Sequence, residues 1–461
     1  MNLRYLIKSA AIVATTLIAM PSCNLQKNFV RPVVKTDSLY RDVNKPDTAS
    51  IANISWTQIF KDEKLQALIR EAMDYNYDLR IAVARIKQAE ANLLQSKAAF
   101  LPTLSVEPQY SRQKATAAQG GFTGNIYELS GNASWEIDLW GKLKGAKNAA
   151  LASLLQSDAF RHAVQTQLLA NIATDYFDLL AFDKELTITL QTVKSYKNDV
   201  ETNKALMQAN RINEASVAQS EANLYAAEVS IPDLRNNIWQ LENAISVLVG
   251  RQPGLIQRDS IEVQQVDTLL QTGLPAQILS NRPDVLEAEY NVRFYFEQIN
   301  IARAYFYPSL TITAQGSWES ATIGSLFNSA FFFGNVAAGL IQPIFNQGLN
   351  KQRLQVANAQ YEQNVLIFQQ TVLGAGQEVS NAMYSYQSAE SKMIIRNLQL
   401  DALKRAVDDT RLLLKGGYVT YIDVLASEQG YLTAQLNSVN DRLQQLTAIV
   451  SLYQSLGGGW K

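Results

Sequence analysis

Few side chains in this sequence are of a type and spacing that could do chemistry. Glu136 and Asp138 stand two apart, as paired acids on one face of a strand would. Neither has a nucleophile or base at a matching distance, so alternation reads them as charges facing water. His162 is the single histidine and Cys23 the single cysteine. One ring nitrogen and one thiol cannot supply the three or four ligands of a zinc site, and one thiol cannot pair within its own chain. His162 precedes Leu169 by seven positions, nearly the same helical face, and reads as a packing residue. Gly120 and Gly121 lack the strand, phosphate loop and lysine of a nucleotide site. With 41 Lys and Arg against 42 Asp and Glu, the net charge is -1 and no basic strip exists, so nucleic acid is not an expected partner. No enzyme, metal or cofactor is expected.

Cys23 carries positional information instead. It follows MNLRYLIKSAAIVATTLIAMPS, in which Arg4 and Lys8 precede an apolar run too short to be a stable span. Ser22 and the aliphatic residues before it resemble the bacterial lipoprotein cleavage box. Residues 1–22 are therefore expected to be removed as a signal peptide and Cys23 to carry covalent lipid, palmitate included. Loss of Arg4 and Lys8 would leave 39 basic groups against 42 acids, a charge of -3. Asn24 stands where an aspartate would favour retention in the inner membrane, which points to the outer membrane.

The elements that must position the remaining polar residues follow from periodicity. Residues 23–60 are polar, with Pro32 and Pro46, and read as a tether. A helical pattern fills 61–101. Over 102–140 the period changes to two: Tyr127, Leu129, Gly131, Ala133, Trp135, Ile137 and Leu139 alternate with Glu128, Ser130, Asn132, Ser134, Glu136 and Asp138. Leu104, Val106 and Tyr110 mark a strand before it, with a polar hairpin loop between. Residues 141–282 read as a long helical hairpin, reversing near Gln208 to Asn213, and an equatorial connection. At 1.5 Å per residue a 60-residue helix would reach about 90 Å, so such helices must support one another side by side.

The order then repeats. AAFLPTLSV at Ala98 to Val106 matches AYFYPSLTI at Ala304 to Ile312 at an offset of 206, and LWGKL matches IFNQG at 205. Residues 283–307 read as the second-repeat helix and 308–345 as the second strand hairpin. There Leu310, Ile312, Ala314, Gly316 and Trp318 alternate with Thr311, Thr313, Gln315, Ser317 and Glu319. Residues 346–456 form the second helical hairpin and 457–461 a tail. Its last helix has a three-four rhythm through Ile422, Leu425, Gln429, Leu432, Leu436, Val439, Leu443, Leu446, Val450 and Tyr453.

Four strands with one apolar face cannot close a membrane barrel, because their edges would leave amides and carbonyls unpaired in hydrocarbon at several kcal/mol each. Two copies would give a barrel mostly filled by side chains; three would give twelve strands around water. The expected fold class is therefore α+β: an outer-membrane β-barrel completed by a homotrimer, four strands per chain, continuous with a long periplasmic α-helical barrel. Glu128, Glu136, Asp138, Gln315 and Glu319 are the candidate lumen-facing residues.

SWEIDLWGKLKGA, NRPDVLEAEYNVR, LLKGGYVTYIDVLASEQGYLTAQL, SLGGGW and the duplicated strand segments, in this order, resemble the outer-membrane factor (TolC-like) family and its lipidated OprM-like branch. The resemblance implies a passive exit conduit of a tripartite efflux system, working with a periplasmic adaptor and an inner-membrane pump of the resistance-nodulation-division type or driven by ATP. It also implies closure at the helix-hairpin tips. Asp423 is then a candidate gate, three copies of one carboxylate around a narrow opening. The second acid some relatives carry is replaced here by Ala426. Gln208, Asn210 and Glu214 in one tip, and Gly416, Gly417 and Tyr418 in the other, are candidate adaptor contacts. The alternatives are a duct for type I protein secretion and a lipid-anchored structural coiled coil.

Overall fold

The computed structural model describes residues 26–36, 39–41, 50–114, 123–265, 272–273 and 275–460. Cys23 and the expected signal peptide lie outside them. The main elements are α1 (Glu63–Tyr75), α2 (Tyr77–Ala98), β1 (Thr103–Lys114), β2 (Thr123–Ile137), α3 (Lys142–Gln208), α4 (Glu214–Leu248), α5 (Pro283–Ala304), β3 (Ser309–Ser320), β4 (Phe332–Ile341), α6 (Leu349–Gly416) and α7 (Tyr421–Ser455). Among the described residues no helix is long and apolar enough to cross a membrane.

The duplication is visible element by element. α2 and α5 are both 22 residues long and α4 and α7 both 35. From Tyr77 and Pro283 through Thr103 and Ser309 the copies are offset by 206. After the second strand the offset is 207, which corrects the value of 205 expected from LWGKL and IFNQG. The structural equivalents are Gly141 and Gly348, at φ of 77° and 81°, each immediately before the long helix of its copy. Turning a strand into a helix at that point takes a left-handed residue, which is why both are glycine.

A second correction concerns residues 61–101, which are two helices. Asn76 interrupts them in extended backbone at φ −57° and ψ 132°. Its side-chain oxygen accepts from Leu79 N at 3.0 Å, capping α2, while its amide donates to the Leu248 carbonyl at 2.8 Å. An asparagine that caps competes with the continuous helix that the apolar period alone suggests.

The chain divides into two compact units. One comprises Ile86–Gln156 and Ala288–Phe368 with the described residues up to Pro32, and holds the sheet. Four strands run in the order β1-β2-β3-β4, every pair antiparallel. Below the sheet α5 and α6 pack through Ile299, Ala302 and Ala357.

The other unit comprises Val33–Arg85, Ser157–Glu287 and Gln369–Lys461. Its core is a ladder on α3 of Leu169, Ile172, Tyr176, Leu179 and Leu180, all fully buried. On α6 a three-four spacing brings Val372, Ala375, Val379 and Tyr386 to the buried face. On α7 the expected rhythm is realised by Leu425, Val439, Leu446, Val450 and Tyr453, whereas Ile422 and Gln429 are exposed. In its first two turns Tyr421, Val424 and Glu428 are buried instead. A straight helix drifts against a strict seven-residue repeat, and a charged partner for Glu428, described below, holds that rotation.

Two of the family-like motifs meet in this unit. Arg282 of NRPD is buried, donating to Asp284, to Glu378 Oε2 at 2.6 Å and to the Ser455 carbonyl at 2.8 Å. Trp460 of SLGGGW donates from its indole nitrogen to the Asn281 carbonyl at 2.8 Å and packs on His162 at 4.5 Å between ring centroids. His162 thus packs as expected, and burial, with Arg161 beside it, pushes its pKa below the ordinary histidine value.

Because Arg282 is buried and its removal leaves the buried Ser455 carbonyl without its donor, Arg282→Ala should lower unfolding stability by about 2 kcal/mol. Arg31, in an exposed pair with Glu289, should cost less than about 1 kcal/mol on the same change. Denaturant titration of the two variants checks the contrast.

Candidate functional site: the sheet and the hairpin ends

Register fixes the faces of the sheet. Glu128 lies opposite Gln109 and Glu319, Asn132 opposite Ser105 and Gln315, and Glu136 opposite Thr311. These residues, with Glu107 opposite Ser130, form one polar face. The other face carries Leu104, Val106, Leu129, Ala133, Ile312, Ala314, Val336 and Leu340. It is bounded by aromatics at both ends. Toward the hairpin loops stand Tyr110 and Tyr127, 5.1 Å apart, and Trp318 and Phe332, 4.9 Å apart. Toward the helices stand Trp135, donating to the Phe100 carbonyl at 2.9 Å, and Trp140, donating to the Pro308 carbonyl at 2.7 Å and stacked near Tyr307. Tyr127 and Trp135 are about 27 Å apart along their strand at 3.4 Å per residue. An apolar band between two aromatic girdles, at about this height, is the outer surface of an outer-membrane strand.

On the apolar face Gly131, Gly316 and Gly334 lie opposite one another in three successive strands. The Phe332 ring covers the last two, and a Cβ built on Gly316 would meet it at 3.3 Å. The row lets one aromatic lie flat where two side chains would otherwise stand.

The predicted polar residues have different surroundings. Glu128 accepts from Ser317 Oγ at 2.9 Å, and Glu319 is its cross-strand neighbour. Gln315 sits between Asn132 and Asn335 on the same face. Glu136 is tied to Lys142 Nζ at 2.7 Å, which removes its free charge. Asp138 departs from the alternation: β2 ends at Ile137, and the Asp138 carboxylate accepts from Leu143 N at 3.1 Å and Lys144 N at 2.8 Å. It satisfies amides of the first turn of α3 that have no helical partner. Glu107 and Gln109 belong to the polar face and were not legible in the sequence, because β1 was marked by its apolar residues alone.

At the hairpin ends Gln208 is the last residue of α3 and Glu214 the first of α4, with Asn213 capping Ser216 N at 3.0 Å. Asn210 is left-handed at φ 53°. Gly416 ends α6, Gly417 follows at φ 75°, and Tyr418 is 82% exposed. The Arg211 guanidinium lies beside Gly417, so the two ends of this protomer are neighbours. Asp423 occupies the third position of α7 in a reciprocal cap: its carboxylate accepts from Thr420 N at 2.8 Å and Thr420 Oγ1 at 2.7 Å, while Thr420 caps the helix in return. Those Thr420 bonds hold the carboxyl below the ordinary aspartate range.

The family model for outer membrane efflux proteins matches residues 68–251 and again 274–458, once per copy of the repeat. The chain belongs to the outer membrane efflux protein family. The cation efflux system protein CusC of Escherichia coli K12 is 27% identical over 457 residues, covering 96% of this chain and 97% of that protein. The probable outer membrane lipoprotein SilC of Salmonella typhimurium is 27% identical, covering 97% and 98%. The open-state crystal structure of the MtrE outer membrane channel of Neisseria gonorrhoeae superposes with a TM-score of 0.86 at 26% identity, over 95% of this chain and 99% of that one. Membership accounts for the girdled sheet: this is an outer-membrane protein that conducts efflux.

The reciprocal cap requires an ionised Asp423. Its carboxyl is depressed, so the cap is present above the ordinary aspartate range and lost as pH falls through the lowered value. Protection from hydrogen exchange at Tyr421 to Val424, corrected for intrinsic rate, should therefore fall on acidification below the ordinary aspartate range in the native protein and already be weaker at about pH 5 in Asp423→Ala.

Proposed function

We propose that three copies of this chain close their sheets into one twelve-stranded barrel and form the outer-membrane exit duct of a tripartite efflux system. The observation that carries the reading is the open sheet. β1 and β4 are both edges, and each presents backbone groups that hydrocarbon would leave unpaired. Joining β4 of one copy to β1 of the next removes every edge, points the apolar band at lipid and puts Glu107, Glu128, Gln315 and Glu319 around water. Three four-stranded sheets leave a lumen that two would fill with side chains.

The partners follow from this geometry and the family. A duct has no energy source of its own, so an inner-membrane pump, proton-driven or ATP-driven, must supply it through a periplasmic adaptor. The docking surface is the pair of neighbouring hairpin ends, with Gln208, Asn210 and Glu214 beside Gly416, Gly417 and Tyr418. Asp423, exposed at the start of α7 and ionised at neutral pH, is the constriction residue. Three such carboxylates around a narrow opening repel one another and gather cations. A lipid on Cys23 anchors the tether, consistent with SilC as a probable lipoprotein. Cargo is chosen upstream; CusC is a cation efflux protein, and 27% identity carries that cargo no further than a test.

Native mass spectrometry of the detergent-extracted protein should show a trimer, and planar bilayers should show cation-preferring conductance. A non-conducting monomer would overturn the reading. Asp423→Ala should weaken single-channel cation block, and Glu128→Gln with Glu319→Gln should reduce cation preference without changing assembly. Cells lacking the protein should accumulate some of a panel of dyes, antibiotics and metals; equal accumulation across the panel would argue against efflux.

A further inference from the structure

Behind the exposed Asp423 lies a second group of acids that the efflux reading does not use. Glu428, in the second turn of α7, is buried, and Asp199 of α3 is half-buried beside it. A single cation serves both. Arg411, near the end of α6, donates from Nε to Glu428 Oε1 at 2.7 Å and from Nη2 to Ser195 Oγ at 2.6 Å, and its Nη2 stands 3.8 Å from Asp199 Oδ2. Glu428 Oε2 and Asp199 Oδ2 are both buried and neither accepts a hydrogen bond. One turn further along α3, Asn203 is 1% exposed, and neither its amide nitrogen nor its oxygen has a partner.

Two ionised carboxylates here would place a net charge of minus one in a buried site, with two acceptors adjacent and no donor between them. Buried acceptors of this kind are rarely left unmade, at about 1–3 kcal/mol each. One proton resolves both problems: the carboxylic acid donates to its neighbour, and Arg411 then balances a single negative charge.

We propose that Asp199 and Glu428 hold one exchangeable proton between them, and that this proton clamps the start of α7 to α3, so that its release loosens one hairpin end from the other. The groups that face the pair are Tyr196 on α3, Arg411 and Asp408 on α6, and Tyr421 on α7. Lys404 and Tyr431 line the adjoining cavity. α4 reaches this level through uncharged Asn223, which accepts from Gln429 at 3.2 Å. Burial, and then the charge of Asp199, raises the Glu428 carboxyl to about 7, and burial raises Asp199 as well.

The sign follows from linkage. Docked, Glu428 binds its proton more tightly than an exposed glutamate does, so docking is fully favoured below the ordinary value of 4.5 and weakens as pH rises toward about 7. Across that interval the undocked population should grow roughly a hundredfold. Any consequence for conduction rests on the duct reading; the proton itself does not.

The test uses the full-length protein in detergent, followed by infrared difference spectroscopy and hydrogen exchange from about pH 5 to about pH 9. The expected result is a protonated-carboxyl carbonyl band that disappears near neutrality. In step with it, exchange at Tyr421 to Glu428, corrected for intrinsic rate, should rise roughly a hundredfold. In Glu428→Gln the amide supplies the missing donor, so the band should vanish and protection should persist at all pH values. Asp199→Asn should do the same from the other side and serves if the first variant fails to fold. A native protein with no such band, a band that survives both substitutions, or protection indifferent to pH would overturn the proposal. Because these readouts require no conductance, a titrating band in a non-conducting protein would overturn the duct and leave the proton standing.

Discussion

A backbone amide or carbonyl in hydrocarbon must find a partner, and the rest of this structure is arranged around that requirement. β1 and β4 cannot meet it within one chain. The sheet is therefore complete only with copies of itself, and both of its faces are already prepared. The aromatic pairs Tyr110–Tyr127 and Trp318–Phe332 bound the apolar band at one end, and Trp135 and Trp140 bound it at the other. Pairing of edges contributes more than any single side chain could, because every strand residue takes part.

Duplication meets the same requirement economically. Each copy provides a helix, two strands and a long hairpin, so one chain contributes two strand pairs in register and two hairpin ends side by side. The two copies differ in how their second long helices begin. The start of α4 is capped by Asn213, while the start of α7 is capped by Thr420 and Asp423 together. The second cap leaves a carboxylate exposed at the hairpin end, and five residues further into α7 a glutamate is buried against Arg411. An acid that needs its charge and an acid that resists it thus lie within two turns of one helix, and their environments set opposite pH responses.

Much of this was legible beforehand. Alternation along Tyr127 to Ile137 and Leu310 to Trp318 named both faces of β2 and β3, since period two admits only one assignment once one face is apolar. The hairpin ends were legible because Asn210, Gly416 and Gly417 break long helical tracts. Glu107 and Gln109 were not, because polar residues in a strand become a site only when register sets them beside Glu128 and Ser130. Asp138 looked like a lumen charge and proved to bond the first turn of α3, a distinction of one residue in where the strand stops.

The sequence by itself determined the elements, their duplication, the apolar and polar faces of the strands and the family. Each depends on local periodicity or on a run of neighbouring residues, and such signals survive in one dimension. Tertiary structure alone decided which charges are spent and which remain. Glu136 is neutralised by Lys142, Arg282 is committed to Asp284 and Glu378, and Asp199 meets Glu428 across 229 positions of chain. The electrostatic state of a group is set by what burial removes from around it and by which charges the fold brings near, and neither is a property of its neighbours in sequence.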